Sequence, residues 1–321
     1  MMVASTQRMQ CARQEKCNAP VVFDSPQLCK EHFFAYFEKK VFDTIKRYRL
    51  CTPQSNVLVG VSGGKDSLVV AHLLSKYCTI SLLAIDEGIP GYREHTLQDL
   101  QRFNAAYGPF DLKIVSYREE IGAPLSEILN HNDVNPCSVC GTFRRHLLNK
   151  YSTGFPLVAT GHNRDDEAQA IVMNIIRGQP AMLGRIGPKT EERAGFTIKI
   201  KPLYFCSEKE VLAYAFLKGF DLHFAECPHA TLSFRAQVRD ALNEHEKEFP
   251  GTKERIIESF MRLKTQLQID AHAARNKKAR PSLRGTTGAQ ESLLLTCASC
   301  GFPSAKKECA ACFLKHSLQL A

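Results

Sequence analysis

Cysteine is the residue type whose spacing in this chain points most directly to chemistry. The chain has 321 residues and 13 cysteines, most of which fall into groups. The groups are Cys11, Cys17 and Cys29 with His32; Cys137 with Cys140; and Cys297, Cys300 and Cys309 with Cys312. The opening sequence, MMVASTQRMQCARQEKC, lacks the apolar core of a secretory signal. We therefore expect reduced thiols that serve metal or redox chemistry rather than disulfides.

The cysteine groups at the two ends predict structural zinc sites. The last four cysteines form two C-x2-C pairs eight residues apart, which is typical of a zinc site with four cysteine ligands. The first group has a wider opening gap, but its closing C-x2-H pair favours a second zinc. Structural zinc contributes roughly 10 to 16 kcal/mol of apparent binding free energy, so a short segment can fold around it. We expect zinc modules at residues 1–35 and 293–321.

The central cysteines allow several chemistries. Cys137 and Cys140 form a C-x2-C before a predicted helix, and this spacing fits zinc, a redox dithiol or an iron–sulfur cluster. Cys227 is far away in sequence and precedes a predicted helix that contains Arg235 and Arg239. Spacing alone does not bring Cys227 to the other two. The remaining cysteines are expected to be small buried residues; they are Cys51, Cys78 and Cys206.

A glycine-rich loop, VLVGVSGGKDSLVV at residues 57–70, predicts a nucleotide site. It is not a Walker A loop, because Lys65 is followed by Asp66 and the glycine spacing differs. Gly63 and Gly64 let the backbone approach phosphate oxygens at the start of the following helix. A carboxylate fits there if it binds Mg²⁺ that also binds the phosphates. The alternative is a glycine-rich turn without a ligand.

A second polar motif, TGHNRDDEAQA, follows a later predicted strand. Gly161 permits close approach of the backbone, while Asp165 and Asp166 bring carboxylates to the same edge of the sheet. We predict that Asp166, with Asp165 behind it, contacts the nucleotide or Mg²⁺. The alternative is that these acids only complement the dipole of a helix N-terminus.

The pattern of elements predicts an α/β fold with a doubly wound parallel sheet. Continuous apolar runs alternate with amphipathic stretches, which is typical of a sheet covered on both faces. The predicted strands are 56–61, 79–85, 112–116, 155–160 and 196–203. Ser207 and Glu210 form a capping box that opens the next helix. Ligands of such sheets bind at the carboxyl ends of the strands, where both polar motifs lie.

Composition and charge limit the setting. The chain is 44% hydrophobic and 23% charged, with a formal net charge of +9, as in ordinary globular proteins. No apolar run of about 18 residues is present, so we expect no membrane association and a cytoplasmic location. The segment 271–290 contains five Lys or Arg and no acid, which suits either RNA phosphates or a solvated linker. We predict a catalytic domain at 36–270 and a basic linker at 271–292.

The motifs together resemble a known family of enzymes. S-G-G-x-D-S is similar to the PP-loop of N-type ATP pyrophosphatases, whose fold is Rossmann-like. With C-x2-C, GHNxDD and ECP, the chain resembles the tRNA 2-thiolation enzymes of the TtuA/TtcA group, including the cytosolic thiouridylase branch. The resemblance implies that the nucleotide contacts are Gly60, Ser62, Gly63, Gly64, Asp66, Ser67, Ile85, Gly161, Asp165 and Asp166. It also implies that Cys137, Cys140 and Cys227 hold a [4Fe–4S] cluster with one iron left free to bind sulfur.

The implied reaction has two stages. ATP and Mg²⁺ adenylate O2 of a tRNA uridine, and sulfur on the free iron then attacks C2 and expels AMP. Arg144, four residues after the second cysteine, keeps its proton and would act as a clamp for phosphate or adenylate. The sulfur donor would be a ubiquitin-like carrier or free sulfide, and a homodimer or a partner subunit is expected.

The target and two alternatives stay open at this point. "FRR" at 143–145 resembles the wobble-uridine branch, whereas the stretch from "ECPHA" onward resembles the TtuA-type branch. Zinc modules at both ends favour uridine over cytidine. One alternative is a PP-loop ligase without a cluster, of the lysidine or 2-thiocytidine type. The other is a zinc-dependent RNA-binding protein with a vestigial nucleotide site.

Overall fold

The structure, a computed structural model, describes residues 11, 17, 19–223, 226–230, 233–278 and 295–320. Its helices and strands follow in this order: β1 Val21–Asp24, β2 Gln27–Cys29, α1 Lys30–Arg47, β3 Asn56–Val61, α2 Lys65–Ser75, β4 Thr79–Asp86, α3 Arg93–Tyr107, β5 Asp111–Ser116, α4 Tyr117–Ile121, α5 Leu125–His131, α6 Pro136–Tyr151, β6 Leu157–Thr160, α7 Arg164–Ile176, α8 Pro180–Leu183, β7 Ile198–Ile200, α9 Glu208–Lys218, α10 Phe234–Glu248, α11 Thr252–Lys278, β8 Leu295–Thr296, β9 Pro303–Ser304 and α12 Ala310–Ser317.

Five parallel strands form the central sheet in the order β5-β4-β3-β6-β7. The central strand β3 pairs with β4 on one side and β6 on the other, so that Val57 lies opposite both Ile80 and Leu157. The strand order reverses at β3, which is where α/β sheets bind ligands. All five predicted strands are present, and the predicted doubly wound parallel sheet is confirmed.

Alternate residues of β3 enter two different cores, as side chains of a strand must. Val57, Val59 and Val61 belong to a core that includes residues of α1, α2, α3 and α9. Leu58 belongs to the core on the other face, which includes residues of α4, α5 and α6. This double burial explains why β3 reads as an unbroken apolar run.

The two ends add small antiparallel sheets to this body. β1 pairs with β2 beside the N-terminal cysteine group, and β8 pairs with β9 in the C-terminal group. Leu318 and the buried C-terminal cysteines share a core with Phe143 and Leu147 of α6. The C-terminal module therefore covers part of the helix that carries Cys137 and Cys140.

A third core joins α7 to α10 and α11. Lys253 of α11 is buried and pairs with Asp165 of α7, so this helix is anchored by charge as well as by apolar contact. α11 continues to Lys278, beyond the predicted start of the linker at residue 271. The stretch 271–278 contains no Gly or Pro, so nothing in it stops the helix. Residues 279–292 of the predicted linker lie outside the described residues.

Several finer expectations can be compared with the structure. Ser207 Oγ accepts a bond from the Glu210 N–H while the Glu210 carboxylate accepts one from the Ser207 N–H, which confirms the capping box. Cys51 and Cys206 are buried as predicted, but Cys78 is only partly buried. Within the described residues, no helix is both long and apolar enough to cross a membrane.

Candidate active site

The loop after β3 requires glycine at its first turn. Gly63 has φ +83°, and a Cβ there would lie 2.0 Å from the backbone oxygen of Thr96. Any side chain would thus clash with the backbone of α3. Gly60 differs, since it lies inside β3 and a Cβ there would meet Leu148 of α6 at 3.3 Å. Its small size serves helix packing, and its role in nucleotide binding stays a prediction.

Side-chain hydroxyls hold the loop in a tight curve at the N-terminus of α2. Ser67 Oγ accepts a bond from Ser62 N at 3.1 Å and donates to the carbonyl of Gly64 at 2.9 Å. Ser62 Oγ accepts from Gly64 N at 3.3 Å. The curve brings Ser62, Gly63, Gly64 and Ser67 to the start of a helix, the usual location of a bound phosphate.

Asp66 and Asp166 face each other across the loop. Asn163 caps α7 by accepting bonds from the N–H groups of Asp165 and Asp166, and its Nδ2 donates to Asp66 Oδ1 at 3.0 Å. Burial raises the pKa of Asp166 to about 6; the Asp66 carboxylate adds to this and Arg235 opposes it. Two carboxylates whose charges interact in this way suit a divalent cation that also binds phosphate.

Asp165 lies behind this pair and has a different environment. One of its oxygens pairs with the buried Lys253 ammonium, and the other accepts the Glu208 N–H at 2.9 Å. Both carboxylate oxygens therefore have protein partners. Gly161 lets the start of α7 approach the loop, because a Cβ there would lie 2.7 Å from the backbone nitrogen of Ser67.

Lys65 and the end of β4 complete the part of the site that is predicted to bind the nucleotide. Lys65 Nζ pairs with Asp66 at 3.1 Å and with Glu208 at 3.0 Å. Ile85 is buried near the carboxyl end of β4, and Asp86 accepts a bond from Gly88 N at 2.9 Å. This edge lies next to β3, so the Ile85 backbone remains the predicted adenine contact.

One cavity of about 430 Å³ holds the three central cysteines together with residues of the nucleotide loop. Its lining includes Cys137, Cys140, Cys227, Arg144, Asp66, Asp166, Asn163, Glu208, His229, Arg235 and Arg239. The structure thus brings Cys227 to the C-x2-C pair, which the sequence spacing could not do. It also brings all three thiols to the same space as the carboxylates of the nucleotide side.

The first two cysteines belong to α6 rather than preceding it, contrary to the prediction. Asn135 caps this helix by accepting from Ser138 N, and Pro136 occupies its first turn, so the helix starts before Cys137. Cys137 Sγ donates to the carbonyl of His229 at 3.5 Å, which ties this turn to the segment around Cys227. Cys140 is fixed by Tyr117, whose hydroxyl donates to the Cys140 carbonyl at 2.8 Å.

The surroundings of Cys137 and Cys140 favour the protonated thiol over the thiolate. Burial raises the pKa of Cys137, with a further rise from Cys227. Burial raises the pKa of Cys140 to about 11, although the Arg144 guanidinium acts in the opposite direction. A metal group must therefore displace protons from these thiols.

The separation of the three thiols distinguishes them from the two end groups. A tetrahedral zinc with bonds of about 2.3 Å needs sulfurs about 3.8 Å apart. Among the described residues, two groups have all ligand atoms within 4.8 Å of one another, and the central cysteines are not such a group. Their wider spacing fits a larger metal group better than a single ion.

Each end group has the geometry of a single metal ion. Cys11, Cys17, Cys29 and His32 come together, with Cys17 and Cys29 sulfurs 3.8 Å apart and His32 Nδ1 3.1 Å from Cys11. The C-terminal four come together likewise, with Cys300 and Cys309 sulfurs 3.8 Å apart. Desolvation acts to raise the pKa of Cys297, but backbone N–H donors outweigh it and lower the value to about 6. Both groups could hold a metal.

Three polar residues of the site escaped the sequence reasoning: Glu87, Asn163 and Lys253. Glu87 is buried and pairs with Arg144 at 3.0 Å, which raises the pKa of the guanidinium. The sequence did carry a signal, because Glu87 follows β4 directly at the ligand edge and Asn163 stands in the GHNRDD motif. Lys253 carried none, since its partner is 88 residues away.

The fold and the loop define an ATP-binding protein of the PP-loop class. A family model described as a PP-loop domain, ATP_bind_3, matches residues 35–246, so the class is shown by sequence as well. The tRNA-5-methyluridine(54) 2-sulfurtransferase of Pyrococcus horikoshii is 37% identical over 284 residues, which cover 88% of this chain and 89% of that protein. Cytoplasmic tRNA 2-thiolation protein 1 of Xenopus laevis is 35% identical over 301 residues, covering 91% and 82%.

A solved structure agrees along almost the whole chain. The U34-tRNA thiolase NcsA from Methanococcus maripaludis, with its [4Fe-4S] cluster, is 33% identical, with a TM-score of 0.74 and coverage of 97% of this chain and 96% of that one. The chain belongs to the family of PP-loop tRNA 2-thiolation enzymes.

Proposed function

We propose that this protein replaces O2 of a tRNA uridine by sulfur in an ATP-dependent reaction. The observation that carries the proposal is the shared cavity, in which Asp66 and Asp166 line the same space as Cys137, Cys140 and Cys227. A site that must activate a uridine with ATP and then deliver sulfur needs both sets of groups within reach of one base. The relatives favour this function over the ligase and RNA-binding alternatives.

ATP binding is assigned to the loop after β3. The curved backbone from Ser62 to Gly64 would hold the pyrophosphate at the N-terminus of α2. Mg²⁺ would bind between Asp66 and Asp166, because both carboxylates line the cavity and their cationic partners, Lys65 and Arg235, are more exposed than Lys253, the partner of Asp165. Burial is the main cause of the raised pKa of Asp166, and a bound cation would offset both this desolvation and the smaller repulsion from Asp66.

The three central cysteines would hold the [4Fe–4S] cluster. Their donor set fits such a group, since three partly buried thiols line one cavity and are spaced too widely for one tetrahedral ion. When bound, the cluster would supply an iron without a protein ligand, at which sulfur can be held. The protein's own contribution is to bring the first turn of α6 and the segment around Cys227 to one cavity. In the thiol form, Cys137 Sγ donates to the His229 carbonyl between them, and ligation of the sulfur would replace this bond.

Arginines of the cavity would orient the phosphate of the activated uridine. Arg144 is 48% exposed and faces the cavity, and Arg235 lies 3.5 Å from Asp166. A guanidinium keeps its charge near reacting groups, so these residues bind phosphate and do not transfer protons. Adenylation makes the uridine oxygen a good leaving group, and the arginines hold the departing AMP.

Cations outside the cavity support binding of tRNA. Burial lowers the pKa of Lys199, with further lowering by Arg145 and Lys201, which shows a cluster of positive charges that a phosphate backbone would relieve. The base must leave its stack to enter the cavity, as in other enzymes that act on a nucleobase. Zinc at both ends would stabilise the modules that flank this surface.

The relatives define the substrates and partners to test. The Pyrococcus horikoshii relative is named for uridine 54 and the Methanococcus maripaludis structure for U34. We infer a sulfur donor that is either a carrier protein with a C-terminal thiocarboxylate or free sulfide, and a homodimer or a partner subunit. The names of several relatives support a cytoplasmic location.

The test is formation of 2-thiouridine by the purified protein. The protein is purified without oxygen, reconstituted, and incubated with tRNA, ATP, Mg²⁺ and sulfide. Digested tRNA is analysed by mass spectrometry for 2-thiouridine at positions 34 and 54. Cys227→Ser should abolish the product, whereas Cys78→Ser, which changes a cysteine outside the cavity, should keep it.

Metal content and nucleotide products separate the alternatives. We expect about four irons and about two zincs per chain. Unchanged thiolation by Cys227→Ser would overturn the cluster assignment. Release of AMP and pyrophosphate with tRNA but without thiolated product would point to a ligase. Absence of tRNA-dependent AMP release would leave only RNA binding.

A further inference from the structure

A buried carboxylate connects the nucleotide loop to the cysteine cavity. Glu87 follows β4 directly and is 4% exposed. Its two oxygens bind different arginines: Oε1 lies 3.0 Å from Arg144 Nε, and Oε2 lies 3.1 Å from Arg93 Nε. Its backbone oxygen accepts a bond from Leu125 N at 2.7 Å, which fixes the position of the residue.

On the loop side the connection runs through Arg93. This guanidinium is 3% exposed, and its Nη1 donates to the carbonyl of Ser62 at 2.5 Å and to Thr96 Oγ1 at 2.9 Å. The backbone oxygen of Thr96 is the atom that would meet a Cβ on Gly63. Arg93 is therefore buried and bonded to the first residue of the loop, so neither can shift without disturbing the other.

On the cavity side the connection ends at Arg144. This side chain is 48% exposed and lines the cavity beside Cys140. Glu87 is the largest cause of the raised pKa of Arg144, which agrees with a close ion pair. Four groups thus form one chain of contacts, from the Ser62 carbonyl through Arg93 and Glu87 to Arg144.

We propose that Glu87 is a positioning residue that holds Arg144 in the orientation set by the nucleotide loop. The inference rests on the proposed function and deepens it. Pyrophosphate bound in the loop acts on the Ser62 carbonyl and hence on Arg93, and the Glu87 side chain, whose main chain is fixed, passes this effect to the Arg144 guanidinium. Arg144 then meets the phosphate of the activated uridine only when the loop is filled.

Arg93 and Arg144 should respond differently when Glu87 loses its charge, which makes the proposal testable. In Glu87→Gln the amide can offer its oxygen to one guanidinium only. Leaving the buried Arg93 unpaired costs more than releasing the half-exposed Arg144 to solvent. The amide oxygen will face Arg93, and the amide nitrogen will repel Arg144. We expect the kcat of thiolation to fall about 10-fold to 100-fold, as for a misplaced catalytic group, with the KM for ATP unchanged within about twofold.

A double-mutant cycle tests whether Glu87 acts through Arg144. Glu87→Gln, Arg144→Gln and the double variant are compared for tRNA-dependent AMP release and for 2-thiouridine. If Glu87 acts through Arg144, Glu87→Gln has no further effect in the Arg144→Gln background. Losses that multiply would overturn the proposal. Glu38→Gln is the matched control, because Glu38 pairs with Lys76 and Tyr214 far from the cavity.

A chemical readout keeps this test separate from the proposed function. Phenylglyoxal modifies arginine side chains, and peptide mass spectrometry gives the rate at each one. Glu87→Gln should raise the rate at Arg144 severalfold and leave Arg185 unchanged, and ATP with Mg²⁺ should alter the Arg144 rate in the wild type but not in the variant. An equal ATP response in both would refute the coupling even if tRNA is thiolated.

Glu87→Asp, which has a shorter carboxylate side chain, is a second variant that keeps the proposal testable if Glu87→Gln does not fold. Glu87→Asp keeps the charge, so it should restore part of the kcat and part of the ATP response at Arg144. If Glu87→Gln fails to fold, the same comparison is made between Glu87→Asp and the wild type. No difference between those two in the ATP response would then count against the proposal. If the wild type responds to ATP but makes no thiolated tRNA, the proposed function fails and the coupling stands.

Discussion

The surroundings of Asp66 explain why a loop shaped for phosphate carries its negative charge. Its carboxylate faces Asp166 and is oriented by Asn163, so that two acids and an amide surround one small volume. Mutual repulsion of the acids makes this volume attractive to a divalent cation. This arrangement supports the proposal that the glycines and the carboxylate share one ligand, a nucleotide with its metal.

Gly63→Ala should impair ATP binding. The added Cβ would meet the Thr96 oxygen at 2.0 Å, and φ +83° strains any side chain, so the loop must open. We expect the KM for ATP to rise at least about tenfold, measured by tRNA-dependent AMP release. Gly154→Ala is the control, because Gly154 also has positive φ but no atom within 4 Å. That variant should lose about 1 kcal/mol of stability and no ATP affinity. Equal KM values for both would contradict the steric argument.

The residues predicted from motifs lie where β3 and β6 end, because strand order places those ends together. The Asp66, Gly161 and Asp166 positions could be predicted since each belongs to a short motif at a strand end. Glu87 could not be assigned a role, because its two partners lie on α3 and α6 and only the folded chain brings them to it. Cys227 depended on resemblance for the same reason.

Helices and strands could be predicted where burial gives the sequence one clear hydrophobic pattern. β3 and β4 are largely buried on both faces and give apolar runs, and α9 begins at the predicted capping box. Cys137 and Cys140 show the limit, since the helix starts earlier than the pattern suggests and includes them. The extension of α11 to Lys278 shows a second limit. The basic composition of this segment predicts its charge, but it does not predict whether the helix ends before it.

Lys253→Met should loosen α11 from α7. The substitution keeps the aliphatic length of a buried side chain and leaves Asp165 as an unpaired buried carboxylate. We expect a loss of about 3 to 5 kcal/mol in the free energy of unfolding, measured by urea titration. Lys247→Met removes an exposed pair with Glu244 and should change little. A similar small effect for both would show that the buried pair does not anchor the helix.

His72 on α2 should make stability depend on pH. It packs against Tyr107 and Phe220, and burial, aided by Lys76 and Lys218, lowers its pKa to about 4. The unfolded chain takes up the proton near pH 6.5, before the folded chain does, so stability falls as the pH drops from about 6.5 to about 4.

The check on this residue is His72→Gln, which cannot take up a proton. One proton changes stability by at most about 1.4 kcal/mol per pH unit, and the variant should lose less stability than the wild type between pH 7 and pH 5. Urea midpoints at the two pH values measure this. Parallel losses in the two proteins would rule out His72 as the source.

At the scale of the whole molecule, the two end modules are attached in different ways. Cys29 of the N-terminal group is also the N-cap of α1, so its metal site continues directly into a core helix. The C-terminal module instead packs on α6 through Leu318 and its buried cysteines. Spacing was enough to predict which cysteine and histidine residues come together at each end. The surface of α6 against which the C-terminal module packs could not be predicted, because no sequence pattern indicates it.

Loss of the C-terminal metal should weaken the protein around α6. Cys312→Ser removes a buried ligand, and we expect one zinc fewer per chain by elemental analysis and a lower melting temperature. Thiolation should fall too, since the module supports the helix that carries Cys137 and Cys140. Cys78→Ser should keep the full metal content. Unaltered zinc in Cys312→Ser would refute the assignment.

The packing of residues 295–320 on α6 has a consequence for biosynthesis. A ribosome makes α6 long before it makes the module that covers its apolar side. Until residues 295–320 have been made, that side stays open to chaperones, and a chain that lacks them exposes it permanently.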